Sequence, residues 1–201
     1  MKPKAYFTPQ RMTRIALLAA ISTVLFIIPG IPIVAFYKLD LSNIPVLLGG
    51  FSMGPLAGLL ILGIKSLIGA LTSSMTAGVG ELADFLFGAA LMLPSVLIYQ
   101  RDKSRKTALL GMAVGTLAMI VSGVLLNAYL LIPAYAKAFG LQVQDILAMV
   151  TKIYPSLDTM WEILLWVTAP FNLLKGAVLS TFTFVLYRHL SPLLHGRSIR
   201  A

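Results

Sequence analysis

The chain has no cysteine and only seven acidic residues in 201. Without cysteine there is no disulfide framework and no thiolate metal site. Charged residues of both signs make up 11% of the chain, whereas a soluble domain carries about 25%, so an ordinary water-soluble fold is excluded. Two histidines occur, His189 and His195, both near the C-terminal end. A histidine-ligated zinc site or histidine catalysis is therefore not expected, and no catalytic or metal-binding residues are assigned. No G-x-x-x-x-G-K-[ST] loop is present, which removes the common route to ATP hydrolysis.

What the chain does have is apolar sequence: 58% hydrophobic residues and a mean hydropathy of +0.90. An all-α integral membrane protein follows, one domain over 1–201 with room for about six spans. The spans read as Met12–Ile28, Leu41–Met53, Leu56–Leu71, Glu81–Tyr99, Thr107–Ile132 and Pro170–Leu190, punctuated by Pro29-Gly30, Gly54-Pro55 and Pro133. Residues 134–168 carry Asp145, Lys152, Asp158 and Glu162 among apolar residues, and read as a long external connection with one or two amphipathic helices. The apolar run Ile15–Ile28 resembles the core of a signal peptide, but Pro29-Gly30-Ile31-Pro32 follows instead of a small-residue cleavage site, so cleavage is not expected.

The net charge of +9 does not indicate nucleic acid, because eleven of the sixteen basic residues gather at three places. These are Lys2, Lys4, Arg11 and Arg14 before the first span, Arg101, Lys103, Arg105 and Lys106 in one loop, and Arg188, Arg197 and Arg200 after the last. Six spans with both termini inside put all three groups in the cytoplasm, as the positive-inside rule requires.

With that topology the intramembrane polar residues converge near the outer ends of the spans. Asn172 and Lys175, three apart on one helix face, lie in Ala169-Pro170-Phe171-Asn172-Leu173-Leu174-Lys175-Gly176. A lysine at mid-membrane costs about 2.5–3.5 kcal/mol on insertion scales, less near the ends. Lys38, Asp40 and Asn43 open the second span, Glu81 and Asp84 the fourth, and Asn127 lies in the outer half of the fifth. Snorkelling, helix packing or the helix dipole could account for each singly. Four spans offering polar groups at one depth point instead to an outward-facing pocket for a polar solute, with Tyr37, Phe85, Tyr129, Tyr135 and Phe171 as candidate walls. Lys65, deep in the third span, has no assignable partner. An intramembrane enzyme using Glu81 and Asp84 is the reading from another class, but two carboxylates on one helix turn cannot easily flank a substrate. Gly50-x-x-x-Gly54, Gly111-x-x-x-Gly115 and the Ala16/Ala20 pair are small-residue motifs for close helix approach.

Several segments together resemble one known family: Lys38–Pro45 (K-L-D-L-S-N-I-P), Gly54–Gly58 (G-P-L-A-G), Gly78–Phe85 (G-V-G-E-L-A-D-F), Leu126–Tyr135 (L-N-A-Y-L-L-I-P-A-Y) and Ala169–Gly176 (A-P-F-N-L-L-K-G). In this order they are similar to the substrate-binding S-components of energy-coupling factor (ECF) vitamin transporters, riboflavin-binding group. The resemblance implies six helices in a prokaryotic plasma membrane and a vitamin site open to the outside. It implies no catalytic activity and no cofactor, riboflavin being cargo. Docking onto a membrane scaffold subunit driven by two ATPases is implied too, with Ala16 and Ala20 as the docking stripe. The candidate binding set is Lys38, Leu39, Asp40, Glu81, Asn127, Tyr135, Asn172 and Lys175. Another vitamin or precursor, such as hydroxymethylpyrimidine or folate, is the alternative cargo.

Overall fold

The computed structural model describes residues 7–34 and 37–194. Lys2, Lys4, His195, Arg197 and Arg200, and the side chains of Arg188 and His189, lie outside the described part. Helix α1 (Pro9–Ile27) starts with proline at its first position and Thr8 as its cap. A small antiparallel hairpin follows, β1 (Ile31–Val34) and β2 (Tyr37–Leu39). Helix α2 (Asn43–Met53) meets α3 (Pro55–Thr72) at Gly54, whose φ of 98° suits glycine and whose successor Pro55 starts the next helix. Helix α4 (Val79–Asp102) turns into α5 (Arg105–Leu126) through Lys103 in the left-handed region and Ser104, which forms a reciprocal capping box with Thr107.

The fifth span does not stop at Pro133. It passes through a π-helical turn, Asn127–Leu131, into α6 (Ile132–Phe139), and the apolar stretch Arg105–Phe139 runs 35 residues. The last span behaves alike: α8 (Met160–Ile163) leads through a π-turn, Leu164–Thr168, into α9 (Ala169–Leu194). Each π-turn ends two residues before a proline, Pro133 or Pro170. A proline lacks the N–H of the helix ladder and its ring collides with the carbonyl four residues back. Widening the preceding turn lets the helix continue past it. Helix thus enters residues 134–168 from both sides. Between them α7 (Val143–Thr151) seats Ile146 and Val150 against Ile132, Leu164 and Ile163.

Helices α1, α3, α4, α5 and α9 are successive neighbours in an arc, and α2 lies inside it against α1, α3, α4 and α9. Residues 42–51 are buried without exception. At about 1.5 Å per residue, the 11 residues of α2 span roughly 16 Å, half the hydrocarbon core. Surrounded by protein, α2 need not reach either interface. Among the described residues, five helices are long and apolar enough to cross a membrane, and α2 is the shorter apolar sixth.

Glycine sets the closest approach. A Cβ on Gly111 or Gly115 would lie 2.5 or 2.2 Å from the Ser95 or Leu91 carbonyl oxygen, so this motif joins α5 to α4 within the chain. At one end of the bundle Arg11, Arg14, Gln100 and Lys103 line one cleft, and the Arg11 guanidinium donates to the Met53 carbonyl. The opposite end is polar for a different reason.

Candidate functional site

The segment entering α2, together with α3, α4 and α9, brings four buried charges into one network. Lys175 Nζ donates to Asp40 Oδ2 at 2.8 Å and lies 3.8 Å from Asp84 Oδ1. Asp84 pairs through its other oxygen with Lys65. Lys65 Nζ donates to Ser42 Oγ at 3.1 Å, and Ser42 donates through the same oxygen to Asp40. The circuit Asp40–Lys175–Asp84–Lys65–Ser42 therefore closes on itself, with charge of alternating sign and no net charge. Asn43 braces it: Nδ2 donates to Asp84 Oδ1 at 3.2 Å and Oδ1 accepts from Lys65 at 2.8 Å. Gly88 makes room, since a Cβ there would lie 3.0 Å from Asn43 Oδ1.

A charge taken into low dielectric is tolerated when paired and hydrogen-bonded, and the circuit gives every member both. Burial alone would raise the Asp40 carboxyl, but the ammonium groups of Lys175 and Lys65, with hydrogen bonds from Lys175 and Ser42, hold it below the usual carboxylate range. The Tyr37 hydroxyl is pushed up to about 12 by burial, only partly offset by its hydrogen bond with Thr168. Tyr37 is thus a neutral hydrogen-bonding group and Asp40 a fixed anion.

Beside the circuit stand two amides, Asn127 at the start of the first π-turn and Asn172 just beyond the second. Such turns recur at functional sites because they re-aim side chains. Asn127 Nδ2 donates to the Gly123 carbonyl at 2.6 Å, and Asn172 Nδ2 to the Thr168 carbonyl at 3.0 Å. Gly123 also faces Asn172, where a Cβ would fall 2.4 Å from its Nδ2. The two amides therefore meet across one glycine. Asn172 is 1% exposed, yet its Oδ1 has no hydrogen-bond partner among the described residues. A buried acceptor left unpaired costs about 1–3 kcal/mol, so this oxygen marks a place for a donor.

Of the aromatic candidates, Tyr37 and Phe171 pack at 4.9 Å between ring centroids, and the Tyr37–Thr168 bond of 2.6 Å ties β2 to the last span. Phe85 is half-buried against the main core. Tyr129 is 72% exposed and pairs edge-on with Trp161, facing out of the bundle. Glu81 sits apart from the circuit, accepting from Ser74 at 2.9 Å and Thr76 at 3.2 Å in the α3–α4 connection. Tyr135 is half-buried near the same turn: a Cβ on Gly80 would lie 3.3 Å from its hydroxyl. Leu39 is half-buried in the hairpin, while Lys38 is exposed, its ammonium 4.9 Å from the Phe26 ring centroid. The structure thus joins Asp40 directly to Lys175, and brings Asn127 to Asn172.

Lys65 is the member of this network that the sequence left without a partner. Its signal was positional. Gly58, Leu62, Lys65 and Gly69 recur at helical spacing and all are buried, so Lys65 lies on the inward stripe of α3.

A family described as "ECF transporter, substrate-specific component" matches residues 10–187. The chain belongs to this family. It is 34% identical over 189 residues to a riboflavin transporter, RibU, of Staphylococcus aureus, covering 92% of each chain. The riboflavin transporter RibU of Lactococcus lactis is 32% identical over 177 residues, 83% of this chain and 85% of that one. The riboflavin transporter FmnP of Bacillus subtilis is 26% identical over 189 residues, 91% and 93%. Among solved structures, the S component of a bacterial ECF transporter superposes with a TM-score of 0.72 at 32% identity, covering 92% of this chain and 97% of that one. The chain is a multi-pass protein of a prokaryotic plasma membrane and a substrate-specific component of a transporter.

Proposed function

We propose that this S-component binds riboflavin and mediates its uptake as the substrate-binding subunit of an ECF-type transporter, energised by a membrane scaffold subunit with two ATPases. Similarity over 83–92% of the chain to riboflavin transporters of three genera supports the cargo. The observation that carries the chemistry is the unpaired Asn172 Oδ1. The flavin ring is flat, uncharged at neutral pH and edged by carbonyls flanking an imide N–H. Oδ1 can accept from that N–H, while the Asn127 amide can donate or accept along the same edge. Tyr37 and Phe171, packed together, are the proposed apolar wall, and in this reading Lys175 donates to the ribityl hydroxyls and Asp40 accepts from them, which their membership of one neutral circuit supports. Glu81, Leu39, Tyr135 and Lys38 complete the proposed set around the mouth.

The proposed docking stripe has the exposure its role requires. Ala16 and Ala20 face outward from α1, while Ile15, Leu18, Ala19, Ser22, Thr23 and Phe26 turn into the bundle. A small-residue pair serving only internal packing would be buried. The purified protein is expected to carry yellow, fluorescent ligand and to quench riboflavin fluorescence on titration. Quenching by a pyrimidine precursor or folate, with none by riboflavin, would reassign the cargo. Changing Ala16 and Ala20 together to tryptophan should leave that titration unchanged and abolish co-purification with the scaffold subunit, because bulk prevents close helix approach. Persistent co-purification would place docking elsewhere.

A further inference from the structure

At the end of the bundle opposite the charged circuit, a cavity of about 270 Å³ opens between the ends of α2, α4, α5 and α9. Its floor is aromatic. Tyr99 stands edge-on to Phe51 and Tyr187, with ring centroids 5.0 and 5.8 Å away, and the two tyrosine hydroxyls lie 3.2 Å apart. Its rim carries Lys103 and Arg105, flanking the Ser104 cap of the 22-residue helix α5. The positive end of that helix dipole therefore begins at the rim. A second cavity of about 350 Å³ shares Phe51 and Lys103 and adds Arg11 and Arg14. Among the described residues, neither lining contains an aspartate or glutamate.

The positive-inside rule accounts for basic residues in a cytoplasmic loop. It does not account for Thr183. This residue lines the first cavity, is 0% exposed, and its Oγ1 has no hydrogen-bond partner among the described residues. A buried hydroxyl is ordinarily satisfied, and an orphan one beside a cavity can pair with an oxygen that enters it, from water or from a ligand.

We propose that this cavity binds the phosphodiester headgroup of an anionic lipid of the inner leaflet. The phosphate sits between Lys103, Arg105 and the start of α5, where two cations and a helix N-terminus converge. An ester or glycerol oxygen meets Thr183, and the first apolar carbons lie on the Phe51–Tyr99–Tyr187 floor. Inorganic phosphate shares the headgroup chemistry but has nothing to place on that floor. An amphiphile matches both halves of the cavity, and the surrounding bilayer supplies it.

The test is native mass spectrometry and thermal unfolding of the purified protein in micelles containing phosphatidylglycerol or phosphatidylcholine. Phosphatidylglycerol should be retained and should raise the unfolding midpoint, while phosphatidylcholine should do neither. Each basic residue near an anionic headgroup contributes roughly fivefold in affinity. Lys103→Gln with Arg105→Gln should therefore weaken retention about 25-fold. Arg101→Gln with Lys106→Gln removes the same charge from positions of the same loop outside the lining, and should weaken retention several-fold less than the lining pair. Thr183→Val should weaken retention several-fold while leaving the lipid-free protein as stable as before, because the hydroxyl it removes is unpaired. Equal losses from the two double variants would show diffuse electrostatics and overturn the site. Displacement of phosphatidylglycerol by millimolar inorganic phosphate would reassign it to the free anion. Riboflavin titration should be unchanged in every variant, which keeps this test separate from the cargo.

Discussion

Replacing Lys65 with methionine is expected to destabilise the protein by about 3–5 kcal/mol, the scale for removing one partner of a buried ion pair. Lys65 is 0% exposed and, among the described residues, is the only cation that touches both Asp84 and the Ser42–Asn43 pair. Without it two carboxylates share Lys175, whose distance to Asp84 is 3.8 Å. The cost is thus less a lost attraction than an uncompensated buried charge. It follows that Lys65→Met combined with Asp84→Asn should recover more than half of the loss, because the remaining Asp40–Lys175 pair is neutral. Equilibrium unfolding by denaturing detergent in mixed micelles measures both variants and their coupling. Additive losses, with no recovery in the double variant, would mean that the circuit does not act as a unit. An intramembrane acid/base pair of Glu81 and Asp84 fits the same geometry poorly: one carboxylate is bound by Ser74 and Thr76, the other by Lys65 and Asn43.

Much of this architecture was legible in the residue pattern, for identifiable reasons. Long apolar runs, proline–glycine stops and three basic clusters bound the membrane topology, because the bilayer penalises charge so heavily that few arrangements survive. Asn172 and Lys175 stood out for the same reason. What the pattern could not give was partnership. Lys65 and Asp84 are 19 residues apart on different helices, and nothing local says that one neutralises the other. Pro133 misled because proline at that position reads as a stop. The π-turn that lets the helix continue is a tertiary accommodation, held by Ala128, Ile132 and Ala136 packing on Ile146 and Leu164. The same accommodation at Pro170 places Asn172, so the feature hardest to read from sequence is the one that orients the amides.

Asn172→Ala is expected to weaken riboflavin binding between about 5- and 150-fold, the range that corresponds to about 1–3 kcal/mol for a lost buried partner. Its Nδ2 is already committed to the Thr168 carbonyl, so the group available to cargo is Oδ1. Removing the side chain also relieves the orphaned acceptor, which should leave the empty protein no less stable by that term. This separates a binding role from a packing role: packing alone gives lost stability with unchanged affinity. Gly123→Ala provides the second arm. Its Cβ would fall 2.4 Å from Asn172 Nδ2, so the amide must move although no ligand-contacting atom has been deleted. Affinity should fall in this variant too, and adding Asn172→Ala to it should cost little more, because both changes act on one amide. Fluorescence titration of riboflavin against the three variants measures this directly. Independent, additive losses would place Gly123 outside the site, and unchanged affinity in all three would move the cargo away from the π-turn amides.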